Sequence, residues 1–459
     1  MLYTHFRQKG ENSLQKVLIA NRGEIAERII RTCEKLGVET VAIFSDSDKD
    51  MPYVQLATKA RYVGEAHPQK SYLNVSNILN IAKEEKVDAI HPGYGFLSEN
   101  APFASKVREA GITFIGPSSE IIRLMGDKLQ ARKEMKTAGV PVVPGTDEAV
   151  ATLEEACTIA DEIGYPVMLK ASGGGGGIGM QRCESKEDIV KAFEQTRTRA
   201  KAYFQNDEVF VEKCIDNARH IEVQVFGDGH GNVVHLYERN CSVQRRNQKV
   251  VEEAVSPCMS EDIRQSICQA AVKAAKHVNY ENAGTVEFIM GENGDFYFLE
   301  MNTRLQVEHP VTESITGLDL VEWQLKVASG EVIPLKQSEI HPKGHAIEYR
   351  IYAEDPKTFY PSPGLIDGWS LPEEDGIRID SGYGPGLKVT PFYDPMIAKL
   401  IVTASTRDEA IQLTTTYLEK VEITGIKTNI PLLKEIVQNN SFKEGSYNTS
   451  FLQKAFVTK

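Results

Sequence analysis

The stretch Thr285–Pro310, TVEFIMGENGDFYFLEMNTRLQVEHP, constrains the fold more than any other part of the chain. Two short apolar, β-prone runs flank Gly291-Glu292-Asn293-Gly294-Asp295. Asn-Gly between such runs predicts a hairpin with a two-residue turn, because both turn residues need positive φ. With Asn293 and Gly294 as the turn, Glu292 pairs with Asp295, and counting outward sets Glu287 opposite Glu300. Directly paired residues share a sheet face, with Cβ atoms about 5 Å apart. Two carboxylates at that spacing, flanked by Phe and Ile, repel each other and need a cation or a shared proton. Asn302 and Arg304 continue the alternation from Glu300, so one face offers Glu, Glu, Asn and Arg. Oxygen ligands without Cys or His suit Mg²⁺ or Mn²⁺, commonly completed by substrate phosphates. Glu287 and Glu300 are therefore read as a metal pair rather than a solvated hairpin edge.

A chain of 459 residues exceeds one ordinary core, and two to four domains are expected. Its 52 basic and 64 acidic residues leave a net charge of −12. That argues against broad nucleic-acid or anionic-membrane binding, while leaving room for an anion in a local basic pocket. The seven cysteines are scattered, odd in number and free of any C-x-x-C pair. This is the pattern of reduced thiols in a cytoplasmic protein. No run approaches the length of a membrane span. The N-terminus, MLYTHFRQKGENSLQK, lacks the apolar region of a signal peptide, and residues 1–16 are expected to form a loose extension.

Val17–Ala20 reads as a buried strand, Glu24–Lys35 as a helix with Ile25, Ile29 and Ile30 on its apolar side, and Glu39–Phe44 as the next strand. That βαβ unit begins a parallel sheet. The alternation continues through Ala60–Val63, Asn74–Glu85, Ala89–His91, Ala101–Ala110 and Thr113–Ile115. His91–Phe96 (HPGYGF) is a loop at a strand's carboxyl end, the ligand side of an open α/β sheet. Ile121–Ala138 is predicted as one helix carrying Lys128, and 139–145 (GVPVVPG) as a linker. A small α+β unit follows, with helices at Leu153–Ile163 and Asp188–Ala202 and strands at Pro166–Lys170, Met180–Cys183 and Val209–Lys213. Strands Arg219–Phe226 and Val233–Glu238 precede a basic loop, 244–249 (QRRNQK), then a helix at Glu261–Val278 and the hairpin. Leu318–Ser329 and Arg407–Glu419 read as helices, and His345–Ala353 as a strand with Glu348 and Arg350 on one face.

Ser172–Gly179 reads SGGGGGIG. It contains G-x-G-x-x-G, but Met180-Gln181 stands where a Walker loop needs Lys-Ser/Thr, and the run leads into a strand rather than opening a helix. It reads as a flexible loop whose backbone N–H groups fold over phosphates, with the mobility of a lid. Lys170 ends the preceding strand, placed to meet a phosphate. Lys128, Lys170, Lys249 and Arg304 would each be ordinary surface charges alone. Beside a two-carboxylate metal pair and a glycine lid they make a phosphoryl-transfer site, where positioning and charge neutralisation are what the protein supplies.

Lys170-Ala171-Ser172 with the glycine run, and the paired Glu287 and Glu300, resemble the ATP-grasp fold. Ala20–Ala26 (ANRGEIA), His91–Asn100 (HPGYGFLSEN) and Glu300–Pro310 (EMNTRLQVEHP) narrow the match. From about Val17 to the C-terminus the chain is similar to biotin carboxylase, the ATP-dependent component of biotin-dependent carboxylases. The resemblance implies an N-terminal open parallel α/β sheet, then an ATP-grasp fold with a mobile glycine-rich lid and a C-terminal mixed domain. It implies a loose extension at 1–16, an α/β domain at 17–125, a helix and linker at 126–145, the lid at 146–214 and the catalytic domain at 215–459. ATP would be held by Lys128, Lys170, Gly174, Gly175, Gly176, Gly177, Glu212, His220 and Gln244. Mg²⁺ or Mn²⁺ would be held by Glu287, Glu300 and Asn302. Lys249, Arg304, Gln306 and Val307 match the bicarbonate pocket, Glu308 the general base, and Arg350 the residue that binds biotin and stabilises its enolate. The implied reaction makes carboxyphosphate from ATP and bicarbonate, then passes its carboxyl group to N1′ of biotin.

Two positions depart from the family pattern: Asn247 stands where relatives often have His, and Ile178 where they often have a basic residue. The chain has no Met-Lys-Met carrier motif. Biotin would therefore arrive on a separate carrier protein or free, and the implied partners are that carrier, a carboxyltransferase subunit and a second copy in a homodimer. The competing readings are an ATP-grasp carboxylate–amine ligase, which need not keep Arg304, Glu308 and Arg350 together, and a module that binds ATP without turnover. A Rossmann oxidoreductase fits worst, because the glycine run is in the wrong strand–helix context.

Overall fold

The computed structural model describes residues 14–172, 179–204, 206–246 and 248–456. The expectations for Gly174, Gly175, Gly176, Gly177, Ile178 and Asn247, and for residues 1–13 of the extension, lie outside the described residues. Five strands open the fold: β1 (Lys16–Ile19), β2 (Glu39–Ser45), β3 (Lys59–Gly64), β4 (Ala89–His91) and β5 (Thr113–Phe114). They pair in parallel in the order β3-β2-β1-β4-β5. The order reverses between β1 and β4, and the two loops leaving their carboxyl ends meet there. The Asn21 amide clamps them, donating to the carbonyls of Pro92 and Tyr94 at 2.7 Å each. Gly93 is required at this contact: its φ is +62°, and an added Cβ would lie 2.8 Å from Asn21 Nδ2.

The expected helix at 121–138 is two helices, Ser119–Gly126 and Lys128–Thr137. Asp127 separates them. Its Oδ1 accepts from the N–H groups of Leu129 and Gln130, both at 3.0 Å, so it caps the second helix and sets Lys128 on its first turn.

Strands β6 (Val167–Ala171), β7 (Met180–Cys183) and β8 (Val209–Lys213) form an antiparallel sheet in the order β7-β6-β8. Helices Leu153–Ile163 and Lys186–Phe204 complete this unit, which has its own core around Val167, Leu169, Ile189, Phe193 and Val211.

The rest of the chain is built on one eight-stranded antiparallel sheet. Its strands are β9 (Arg219–Gly227), β10 (Val233–Arg245), β11 (Gln248–Ala254), β12 (Asn282–Met290), β13 (Phe296–Asn302), β14 (His345–Tyr352), Ile377–Ser381 and Met396–Ala404. The order is β13-β12-β9-β10-β11-β14, then Met396–Ala404, then Ile377–Ser381. The expected basic loop at 244–249 is instead a tight hairpin end, with Gln244 paired to Lys249 and Arg245 to Gln248.

The Glu287–Glu300 pairing holds, but the expected two-residue turn does not. Gly294 N donates to Gly291 O at 3.1 Å and Gly291 N to Asp295 O at 2.8 Å, closing a three-residue loop in which Gly294 alone has positive φ, +85°. Glycine takes the left-handed position without strain, so Asn293 need not. This shifts the outer pairs to Met290–Phe296, Ile289–Tyr297 and Phe288–Phe298. A bulge at Leu299 then restores Glu287 opposite Glu300.

Candidate active site

A cavity of about 1120 Å³ lies between the parallel sheet, the small unit and the large sheet. Its wall includes Lys128, Lys170, Glu212, His220, Gln244, Lys249, Glu287, Glu300, Asn302, Arg304, Gln306, Val307 and Arg350. Glu308 is fully buried just behind that wall, reaching it through two cations. Residues more than two hundred positions apart are thus brought into one space.

Its centre is an ammonium among three carboxylates. Lys249 Nζ donates to Glu222 Oε2 (2.5 Å), Glu308 Oε1 (2.6 Å) and Glu287 Oε1 (3.0 Å). Arg350 Nη2 donates to Glu308 Oε2 at 2.9 Å, and the fully buried Arg239 donates to Glu222 Oε1 at 2.5 Å. Burial alone would raise the Glu308 carboxyl, but Lys249, Arg350 and Arg239 overcome it and hold it well below the ordinary range. Burial likewise works against Glu287, which Lys249 and His220 pull well below that range. Glu222 goes the other way: burial and the charge of Glu308 outweigh its cations and raise it. Lys249 rises well above the usual lysine value, because its three carboxylates outweigh the cost of burial.

Glu287 and Glu300 bring two carboxylates to the cavity wall, each facing a cation: Lys249 for Glu287, and Lys128 Nζ at 2.8 Å for Glu300. Oxygen donors already gathered around positive charge fit a hard divalent ion bound with phosphates. Asn302 lies beside this pair on the cavity wall. Its Nδ2 donates to Glu287 Oε1 (2.8 Å) and its Oδ1 accepts from Arg304 Nη2 (3.1 Å), so it orients Glu287. His220 Nε2 lies 3.0 Å from Glu287 Oε2, off the hydrogen-bonding angle.

At the small unit, Lys170 Nζ donates to Glu212 Oε2 at 2.5 Å and Arg132 Nη1 to Glu212 Oε1 at 3.2 Å. On the opposite side, Arg304 donates to Glu99 Oε2 (2.8 Å) and Gln306 Oε1 (2.8 Å), and Gln306 Nε2 to Glu287 Oε1 (3.0 Å). Arg350 also sits 2.6 Å from Glu252 Oε1.

Glu222, Arg239, Glu99 and Arg132 were missed in the sequence. Glu222 and Arg239 sit directly across from each other on β9 and β10, and Glu222 lies directly across from Glu287 on β12. The period-two run Arg219–Phe226 set Glu222 on one face with His220 and Gln224, but not which strand that face would meet. Glu99 lay in plain view in HPGYGFLSEN.

The comparisons agree along the chain. The family models described as "Biotin carboxylase, N-terminal domain", "Carbamoyl-phosphate synthase L chain, ATP binding domain" and "Biotin carboxylase C-terminal domain" match residues 13–122, 127–336 and 348–454. The chain is 57% identical over 438 residues to biotin carboxylase 2 of Bacillus subtilis, covering 95% of this chain and 99% of that one. It is 52% identical over 442 residues to biotin carboxylase of Haemophilus influenzae, covering 96% and 98%. A crystal structure of the biotin carboxylase–β-γ-ATP complex from Campylobacter jejuni aligns with a TM-score of 0.95 at 45% identity, covering 96% and 99%. The biotin carboxylase domain dimer of Hydrogenobacter thermophilus 2-oxoglutarate carboxylase, in complex with MgADP, ADP and bicarbonate, aligns with a TM-score of 0.93 at 48% identity, covering 96% and 98%. No helix among the described residues is long and apolar enough to cross a membrane. With its parallel α/β sheet, its ATP-grasp fold and relatives this close over nearly its whole length, the chain belongs to the biotin carboxylase family.

Proposed function

We propose that this chain is an ATP-dependent ligase that carboxylates biotin with bicarbonate, the first half-reaction of a biotin-dependent carboxylase. The observation that carries the reading is the carboxylate of Glu308, held between Lys249 and Arg350 just behind the wall of a cavity lined also by Glu287, Glu300 and Lys170. Lys128, Lys170, Glu212, His220 and Gln244 hold the nucleotide, to which the family resemblance also assigns Gly174, Gly175, Gly176 and Gly177. Glu287, Glu300 and Asn302 would hold Mg²⁺ or Mn²⁺, with the Asn302 amide orienting Glu287, and the ion would neutralise phosphate charge during transfer. Bicarbonate sits among Lys249, Arg304, Gln306 and Val307.

Glu308 removes the bicarbonate proton, and the resulting oxygen attacks the γ-phosphorus, expelling ADP and forming carboxyphosphate. Its carboxyl group then passes to N1′ of biotin as the bond to phosphate breaks; the released phosphate takes up the N1′ proton, and the ureido oxygen carries the resulting negative charge beside Arg350. A carboxylate held so far below its ordinary range is a weak base in bulk terms. Here both of its oxygens are engaged, one by Lys249 and one by Arg350. An incoming anion that takes over Lys249 frees one oxygen and fixes donor and acceptor together, the condition under which a weak base serves.

The working division is 17–125, 126–145, 146–214 and 215–459. We place the protein in the cytoplasm as a homodimer, with a biotin carrier protein and a carboxyltransferase subunit as partners. Phosphate release from MgATP, measured with and without bicarbonate and free biotin, tests the reaction. Release that requires bicarbonate and rises with biotin is expected. ATP turnover indifferent to both overturns the assignment, and turnover that depends on an added amine in place of biotin favours a carboxylate–amine ligase.

A further inference from the structure

We infer that Lys399 is a positioning residue for the carboxylation, fixing the Val307–Glu308 peptide while Arg350 fixes the Glu308 carboxylate. The inference rests on the role proposed above for Glu308. Lys399 lies on the strand Met396–Ala404, directly across from Arg350 on β14 and from Asp380 on Ile377–Ser381. Paired residues share a face, so Lys399 and Arg350 are adjacent cations aimed at one segment. Arg350 takes the Glu308 side chain at 2.9 Å. Lys399 Nζ donates to the Val307 carbonyl at 3.0 Å. Glu308 is thus gripped at its carboxylate and at the peptide leading into it.

The ammonium also ties this segment to the parallel-sheet domain. Lys399 Nζ lies 3.1 Å from Glu24 Oε2, in the first turn of the helix Gly23–Leu36. Glu24 Oε1 accepts from the Tyr94 hydroxyl, on the loop after β4 that lines the cavity. The chain of contacts runs from cavity wall to Tyr94, Glu24, Lys399 and the base-bearing peptide. Lys399 is fully buried. A buried ammonium is costly to desolvate, and a buried ion pair replaced as a whole by packed apolar residues is often no less stable, so packing alone does not call for Lys399 and Glu24 here. The charge is accounted for if its task is to place a carbonyl.

The other charged groups do not relieve Lys399 of that role. Asp380, 3.9 Å away, is neutralised by Arg378, which donates to both of its oxygens at 2.9 and 2.7 Å. Glu348, two residues from Arg350 on the same face of β14, is raised well above the carboxylate range by burial. His309, at the start of the helix after Glu308, is kept neutral by burial and by the Lys399 charge.

Steady-state phosphate release by wild type, Lys399→Met, Lys399→Arg and Glu24→Gln tests this. A displaced general base costs on the order of tenfold to a hundredfold. Lys399→Met is expected to lower biotin-stimulated kcat by at least about tenfold and to raise KM for bicarbonate, with KM for MgATP unchanged within about twofold. Lys399→Arg, which keeps a donor, recovers part of the loss. Glu24→Gln raises KM for bicarbonate severalfold, because the ammonium loses its anchor; this arm decides the matter if Lys399→Met does not fold. Unchanged kcat and bicarbonate KM in the variants overturns the inference, as does a fall that tracks only the folded fraction or moves the MgATP KM equally. A wild type without bicarbonate and biotin dependence overturns the proposed function, and this inference with it.

Discussion

Glu308 shows how a single residue's chemistry is set by its neighbours. Burial would protonate it; Lys249, Arg350 and Arg239 keep it ionised. Replacing it with Gln keeps the shape and removes the base. Glu308→Gln is expected to cut bicarbonate-dependent phosphate release by about a hundredfold or more, the usual worth of a positioned base. MgATP affinity should hold, since Lys128, Lys170 and Glu212 lie elsewhere on the wall. Single-turnover release beside a nucleotide-binding titration checks both; lost nucleotide binding would put Glu308 in another role. The Glu287–Glu300 pair was legible in the sequence because hairpin partners are local. Glu222 was not, although it touches the same Lys249. It comes from β9, which sits beside β12 in the sheet although β10 and β11 intervene in the chain. Non-local strand order leaves no mark on a period-two pattern.

At the scale of elements, the hairpin shows two local errors cancelling. The three-residue loop moved the register by one, and the Leu299 bulge moved it back. The observed loop makes a prediction that a two-residue turn does not. Asn293→Ala should change the urea midpoint little. Gly294→Ala should destabilise by about 1–2 kcal/mol, because alanine at φ +85° is strained and its Cβ would meet Ile263 Cδ1 at 2.5 Å. Equal losses at both sites would argue for positive φ at both. A second element-scale device holds the C-terminal helices to β11. Glu253 accepts from Arg407 at 2.7 and 3.1 Å and sits 2.6 Å from His345 Nε2, with the Tyr447 hydroxyl also on it. Burial would raise Glu253, but His345 and Arg407 bring it down to about 2. A carboxyl depressed on folding adds stability above its unfolded pKa, lost as pH falls through the folded one. Here that is up to about 3 kcal/mol, fading from about pH 4.5 toward 2. The stability gap between wild type and Glu253→Gln should therefore hold from pH 7 to pH 5 and narrow as pH falls from about 4.5 toward 2 in urea melts. A constant gap would mean that Glu253 is not ionised by this cluster.

At the scale of the molecule, apolar packing divides the chain unequally. One continuous core runs from Val17 and Ile29 of the parallel-sheet domain through Trp323 to Tyr349, Leu400 and Ile436. The small unit keeps a separate core of Ala156, Leu169, Phe193 and their neighbours. The alternation of strands and helices that builds the first domain was readable from the sequence, because each βαβ step is local. The shared core was not, since it joins segments some four hundred residues apart. A unit with its own core can open without disturbing the rest. It faces the cavity with Lys170 and Glu212 beside Met168, Met180 and Phe210, and Arg132 from outside the unit reaches Glu212 at 3.2 Å. Amide exchange in Leu153–Ile163 and Lys186–Phe204 should therefore be faster than in β12. Nucleotide bound beneath the unit must leave before it opens. At a concentration about a hundred times Kd, MgATP should slow exchange there by about a hundredfold, while β12 is little affected. Deuterium uptake followed by peptide mass spectrometry measures both. Equal slowing in the two regions would mean that the small unit and the large sheet open as one body, and exchange in the small unit indifferent to MgATP would remove the nucleotide from beneath it.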